Sequence, residues 1–322
     1  MTLLSPRFAC FAAGTIAAMA FTPCAGAGND AAQAGQTSPR IISKDSTCFL
    51  RLPKDDKVVY RGVVNLDGAG VGNAQMLYPA PNAAIALAAV LTHGAVVGSM
   101  RDGQKEKLQE AADKVLLPYQ KVLGTYKHQE LMRRALEKTL TGGSKKLVES
   151  SEKPGAEWFV ESAPVFSITQ DQTAIILDNS ISIYAPGASS AAAYQNTVRV
   201  VSQPKDETDL ASFWNANDGA SLKEESAGLL AESLDIILSE VAGGPNKEDN
   251  PYRTVRYLEG TTEKMERGQV IRERCGRTLI KTLRGGLMSV PARRSTAPAA
   301  APDCADVPGS PKQTQTENPE RF

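Results

Sequence analysis

Histidine, cysteine, aromatic side chains and net charge are all scarce in this chain, and each scarcity closes a class of function. The two histidines, His93 and His128, cannot supply a three-histidine metal site, and a Ser-His-acid hydrolase would have to take its base from one of them. His93 falls in an apolar stretch and His128 at the start of a charged one, neither following a strand as a triad base does. Lysine plus arginine number 36 against 36 aspartates plus glutamates. No net field exists to hold a polyanion, so nucleic acid is not an expected partner.

Motifs that carry chemistry are missing in the same way. The chain has no Gly-x-Ser-x-Gly turn, no Walker-type Gly-Lys-Ser or Gly-Lys-Thr, and no closely spaced Cys/His set for zinc. The glycine-rich run Asp67–Asn73 lacks the helix that a dinucleotide loop must open, because Met76–Pro81 intervenes. Ser202 and Lys205 have Ser-x-x-Lys spacing, but Pro204 forbids a regular helix between them and no Lys-Thr-Gly partner occurs. Asn215–Gly219 has the flavour of a calcium loop, yet Trp214 would occupy the first ligand place. No catalytic, cofactor-binding or metal-ligating residue is assigned on these grounds, and no cofactor is expected.

What is present gives an address. Residues 1–27 combine one early charge, Arg7, with an apolar stretch and small residues ending at Ala25-Gly26-Ala27, the pattern of a Sec-type signal peptide cut after Ala27. Acylation at Cys24, which would make an outer-membrane lipoprotein, is the competing reading and suffers from Pro23 and Phe21 in the preceding positions. Export to the periplasm of a bacterium, or secretion, follows. Residues 28–40 read as a flexible linker, 41–290 as one globular domain with a candidate subdivision near 142–156, and 291–322, with six prolines, as a disordered tail. Removal of the signal leaves Cys48, Cys275 and Cys304. Since Cys304 lies in the tail, the candidate disulfide joins Cys48 to Cys275; the alternative, three unpaired thiols, stays open.

Within the domain, strand-type alternation marks Cys48–Leu52, Lys57–Leu66, Glu157–Thr169, Thr173–Tyr184 and Ala193–Ser202, and again Tyr252–Leu258, Glu266–Arg274 and Arg277–Leu283. Helical spacing marks Lys105–Leu117, ended by Pro118, then Lys127–Leu140, Thr208–Trp214 and Leu222–Val241. The run Ala83–Met100 carries no formal charge over eighteen residues. As a helix it would be about 27 Å long, and Gly94 and Gly98 form a small-xxx-small helix-packing motif. A buried helix of a soluble domain is the leading reading; oligomerisation or membrane insertion are its rivals, and membrane association is not favoured. The expected fold class is α+β: antiparallel β-meanders with packed helices, namely an Ala/Gly-rich helical hairpin and a second helical insertion.

The functional expectation is a non-catalytic exported protein, a binding or assembly component of the bacterial cell envelope. Its expected partner is another envelope protein or an anionic envelope component received by the arginines at 253, 256, 267, 272, 274, 277 and 284, should enough of them share a face. The blander expectation for those arginines is pairing with Glu259, Glu263, Glu266 and Glu273 across strands. Two alternatives stand beside it: an envelope hydrolase with a divergent serine or acid/base site, and a lipid-anchored or membrane-inserted oligomer using residues 83–100.

Overall fold

Three long alternating runs form the centre of the fold. In the computed structural model, β4 (Trp158–Ile168), β5 (Ile175–Tyr184) and β6 (Tyr194–Val201) pair antiparallel in the order the spacing predicts. The structure describes residues 42–43, 46–64, 99–141, 143–153, 155–188, 191–243, 250–274 and 276–292, with only the backbone described for 99–105. The signal segment 1–27, the linker 28–40, the Asp67–Asn73 run, Ala83–Gly98 with His93, Gly94 and Gly98, Cys275 and Cys304 lie outside the described residues, as does the tail from 293 on.

Around this meander the sheet grows on both sides into ten strands, in the order β3-β1-β4-β5-β6-β10-β9-β8-β7, with β2 also on β4. β1 (Cys48–Arg51) and β2 (Val59–Gly62) run parallel to β4 and share one of its edges, opposite Trp158–Glu161 and Val165–Ile168 respectively. β3 (Lys145–Val148) is parallel to β1 and falls in the stretch 142–156 where a subdivision was a candidate. On the far side β7 (Tyr252–Glu259), β8 (Thr262–Arg274), β9 (Arg277–Thr282) and β10 (Leu287–Pro291) form a second antiparallel meander, and β10 runs parallel to β6. The fold is α+β as expected, but the two β-blocks are one mixed sheet. The joining strand is only five residues long and wholly buried, so it carries no alternation by which a sequence reading could find it.

Helices cover one face. The helix α1 (Ser99–Asp113) passes into a 3₁₀ turn, Lys114–Tyr119, then α2 (Gln120–Thr125) and α3 (His128–Lys138). Pro118 lies in the turn; its ring would clash with the carbonyl four residues back, so the α-helical ladder stops at Asp113. α4 (Leu210–Val241) starts at the cap Asp209, whose carboxylate accepts the Ser212 N–H at 3.0 Å. It is broken at Ala216–Gly219, which matches the two helices expected there. Asn217, Asp218 and Gly219 are all left-handed, with φ of 52°, 57° and 74°, a conformation that these three residue types tolerate best. At Gly219 a Cβ would also stand 2.4 Å from Val122 Cγ1.

The larger core lies between α3, the second half of α4 and the sheet: Leu131, Met132, Leu230, Leu234 and Ile237 pack with Ile181, Ile183, Val198 and Val200. The buried polar groups on this face are satisfied in a chain: Ser162 Oγ donates to Asn179 Oδ1 at 2.9 Å, Asn179 Nδ2 to Ser233 Oγ at 2.8 Å, and Ser233 Oγ to the Leu230 carbonyl at 2.8 Å. A smaller core on the opposite face gathers Ile176, Val201, Tyr257, Ile280, Met288 and Val290. Because Tyr257 belongs to β7 and Ile176 to β5, the C-terminal meander curls so that its hairpin lies against the central sheet.

Candidate functional site

The residues singled out in the sequence are spent on structure where they are described. Ser202 is 1% exposed and its Oγ accepts the Ile175 N–H at 2.9 Å. Lys205 instead pairs with Glu225 at 2.7 Å beside the Trp214 ring. The Ser-x-x-Lys pair is thus not assembled. His128 is buried at the first turn of α3, and burial pulls its pKa down to about 4 against the opposing pull of Asp55 and Asp56. No serine or carboxylate that could complete a triad donates to or accepts from it among the hydrogen bonds of the described residues. Tyr60 Oη and Ser226 Oγ are 2.6 Å apart, but both are buried and Ser226 Oγ also donates to the Leu222 carbonyl at 2.7 Å. Among the described residues no group of three or more His, Cys, Asp or Glu could hold a metal ion. No helix among them is long and apolar enough to cross a membrane.

Cys48 is buried on β1, and burial raises its thiol pKa. Arg274, which ends β8, lies far from β1 in strand order; Cys275 itself is outside the described residues.

Two polar clusters fix the β7–β8 hairpin to the sheet. In the first, Arg199 of β6 reaches Glu259 Oε1 at 3.2 Å and Asp178 Oδ1 at 3.5 Å, while the Tyr257 hydroxyl donates to Glu259 Oε1 at 3.2 Å. Desolvation works against the guanidinium, but Asp178 and Glu259 outweigh it and raise the Arg199 pKa further. Burial pushes Asp178 up despite Arg199, and Glu259 adds to the rise; burial also pushes Glu266 up. Arg199 Nε, Asp178 Oδ1 and Glu259 Oε2 make no hydrogen bond among the described residues. The half-buried Arg199 guanidinium between these carboxylates repels a metal ion, so the cluster is a latch rather than a ligand site.

In the second, Asp171 in the β4–β5 turn takes three hydrogen bonds on Oδ1, from Thr169 Oγ1 at 2.6 Å, Thr173 N at 3.0 Å and Thr173 Oγ1 at 2.8 Å. Its Oδ2 takes two from the β7–β8 turn, Thr261 N at 2.7 Å and Thr261 Oγ1 at 2.6 Å. Desolvation raises its pKa, but these donors outweigh it and hold the carboxyl far below the usual range. Gly260 has φ +64°, and a Cβ there would stand 2.6 Å from both Asp171 oxygens.

The outer side of the same hairpin is different. In the β7–β8 register, Tyr252, Thr254, Arg256 and Leu258 share one face with Gln269, Arg267, Met265 and Glu263. Tyr252, Leu258 and Met265 are 46%, 38% and 62% exposed, unusual for side chains of this size. Of the seven arginines considered above, Arg256 and Arg267 lie on this face. Arg253 pairs with Glu273, Arg256 with Glu263 at 3.2 Å, and Arg277 turns inward to Glu232 on α4 at 2.7 Å. The cross-strand pairing expected for them therefore forms at Arg253 and Arg256, and Glu259 is taken by Arg199 instead. The exposed apolar side chains were missed because each face of β7 mixes polar and apolar residues, so alternation does not say which face is buried.

No protein-family model, no curated protein and no solved structure matches this chain.

Proposed function

We propose that this is a non-catalytic exported protein of the bacterial cell envelope, a binding or assembly component that engages its partner through the outer surface of the β7–β8 hairpin. One observation carries the reading: the hairpin is pinned on its inner side by two polar clusters while its outer side presents Tyr252, Leu258 and Met265 to solvent among arginines. Exposed aromatic, methionine and arginine side chains are the composition of a protein-binding patch. The signal-like residues 1–27 supply the address.

The test is a photo-reactive residue at position 265, expressed in the native host, with fractionation and mass measurement of the mature chain. The expected result is a mature chain beginning at Gly28 in the periplasmic fraction and light-dependent adducts at 265 that are absent when the reactive residue sits at buried Met132. A chain retained in the cytoplasm, or equal capture from 265 and 132, overturns the proposal.

A further inference from the structure

β7 ends the sheet: it pairs with β8 on one side, and no described strand is hydrogen-bonded to the other. Natural proteins guard such an edge with charged side chains, lysine above all, with proline, a bulge or a very short strand, because its row of free N–H and C=O groups is a template for another strand. β7, Tyr-Arg-Thr-Val-Arg-Tyr-Leu-Glu, has no lysine, proline or bulge over eight residues, and the bulge of this region sits in β8 at Val270/Arg272; its exposed charges are two arginines, which guard the edge against a basic strand but not against an acidic one. Its outer part, Tyr252–Arg256, is exposed except for half-buried Val255.

Charge selects the occupant. On the hairpin arms the exposed charged residues are five arginines, at 253, 256, 267, 272 and 274, against Glu263 and Glu273, because Glu259 is buried against Arg199 and Glu266 is half-buried. The pairs that Arg253 and Arg256 make are solvent-exposed, with side chains 43–58% accessible, and pairs of that kind add little stability, so a partner's carboxylates can exchange for them. A second copy of this edge would bring arginine toward arginine. We infer that β7 accepts an extended acidic segment of a partner protein by strand addition, with main-chain hydrogen bonds supplying affinity and Arg253 and Arg256 supplying the preference for acid. This rests on the proposed function and names its partner's chemistry.

The test uses the full mature chain and two capped eight-residue peptides in which pairs of valine or threonine alternate with pairs of either glutamate or lysine, so that both faces of the added strand carry charge toward Arg253 and Arg256, followed by fluorescence anisotropy. The glutamate peptide is expected to bind at least tenfold more tightly than the lysine peptide, with Arg253→Glu/Arg256→Glu reversing the order. A third peptide, the glutamate sequence with alternate backbone nitrogens methylated, is expected to lose binding; it leaves the protein untouched, so misfolding cannot mimic the result. Equal binding of glutamate and lysine peptides, undiminished binding of the methylated peptide, or a concentration-dependent dimer abolished by Arg256→Glu overturns the inference, the last in favour of a second copy. Sedimentation with phosphatidylglycerol vesicles that the glutamate peptide does not compete also overturns it. Any of these failures with light-dependent adducts at 265 intact leaves the proposed function standing, whereas loss of those adducts removes it whatever the peptides do.

Discussion

Removing the Asp171 carboxylate should unfasten the β7–β8 turn from the β4–β5 turn. In Asp171→Ala five hydrogen bonds disappear, three inside the β4–β5 turn and two to Thr261. Hydrogen bonds to a charged group are worth roughly 1.5–3 kcal/mol each, but this carboxylate is half-exposed, water can replace it, and bonds on one carboxylate are not additive. The expected cost is therefore about 2–4 kcal/mol in total. Thr261→Ala, which keeps the backbone N–H and loses only the hydroxyl, should cost about 1 kcal/mol. Urea titration followed by tryptophan emission suits the question, since the Trp214 indole donates to the Gln172 carbonyl at 2.8 Å in the same turn. The pH dependence has a fixed sign. A folded-state pKa held below the unfolded value of about 3.9 gives stability that is present above pH 4 and lost as pH falls toward the folded value. Asp171→Asn should flatten that acid limb. A loss under about 0.5 kcal/mol in Asp171→Ala, or an unchanged acid limb in Asp171→Asn, would refute the clamp.

Four further outcomes follow from other parts of the structure. Arg199→Met leaves buried Glu259 and half-buried Asp178 without their cation, and chemical denaturation at pH 7 should show a loss of about 3 kcal/mol, the lower end of the range for breaking a buried pair. Asp178→Asn should instead raise stability at pH 7 and change little at pH 4, because a carboxyl whose folded pKa is raised is penalised when ionised and relieved as pH falls; equal effects at both pH values would contradict this. His128, with its folded pKa lowered to about 4, gives stability present above pH 6.5 and lost as pH falls through 4, about 3 kcal/mol over that window. Imidazole chemical shifts should accordingly show one histidine that does not titrate between pH 7 and 5. Gly219→Ala combines a left-handed backbone with a Cβ driven against Val122, and a melting temperature unchanged from the parent would rule out the packing described for the α4 break.

The central meander and the helices were legible in the sequence because their periods are long and clean. β4, β5 and β6 each begin and end within two residues of the alternating runs, and the Asn-Asp-Gly break of α4 lies between the two helical runs expected there. What could not be read shares one cause: it depends on partners distant in the chain. β3 is four residues long and becomes a strand only because β1 pairs with it, and β10 shows no alternation because both its faces are buried. The parallel pairings of β1 and β2 with β4 lie in topology, not in local pattern. The latches were equally hidden. Arg199 and Glu259 are 60 residues apart and Asp171 and Thr261 are 90 apart, so nothing in a local window distinguishes them from solvated charges, and half-buried Arg199 on β6 looks in sequence no different from the exposed arginines of the C-terminal strands.

The inner latches and the outer edge are parts of one argument. A strand edge binds an incoming segment well only if it is already ordered, because any entropy of ordering the hairpin would be deducted from the binding free energy. A hairpin standing alone is marginally stable at best, and the apolar core beneath this one has six buried members among the described residues. The Arg199 cluster and the Asp171 clamp hold the same end of the hairpin, at Glu259 and at Thr261 beside the turn, and leave Tyr252–Arg256 as the open end. Loosening the clamp should therefore weaken strand addition without touching the binding edge. Asp171→Ala is expected to lower affinity for the glutamate peptide severalfold while the ratio between glutamate and lysine peptides is kept, since Arg253 and Arg256 are unchanged. Unaltered affinity in a variant whose hairpin amides exchange faster would separate the latches from binding and leave them with a role in stability alone.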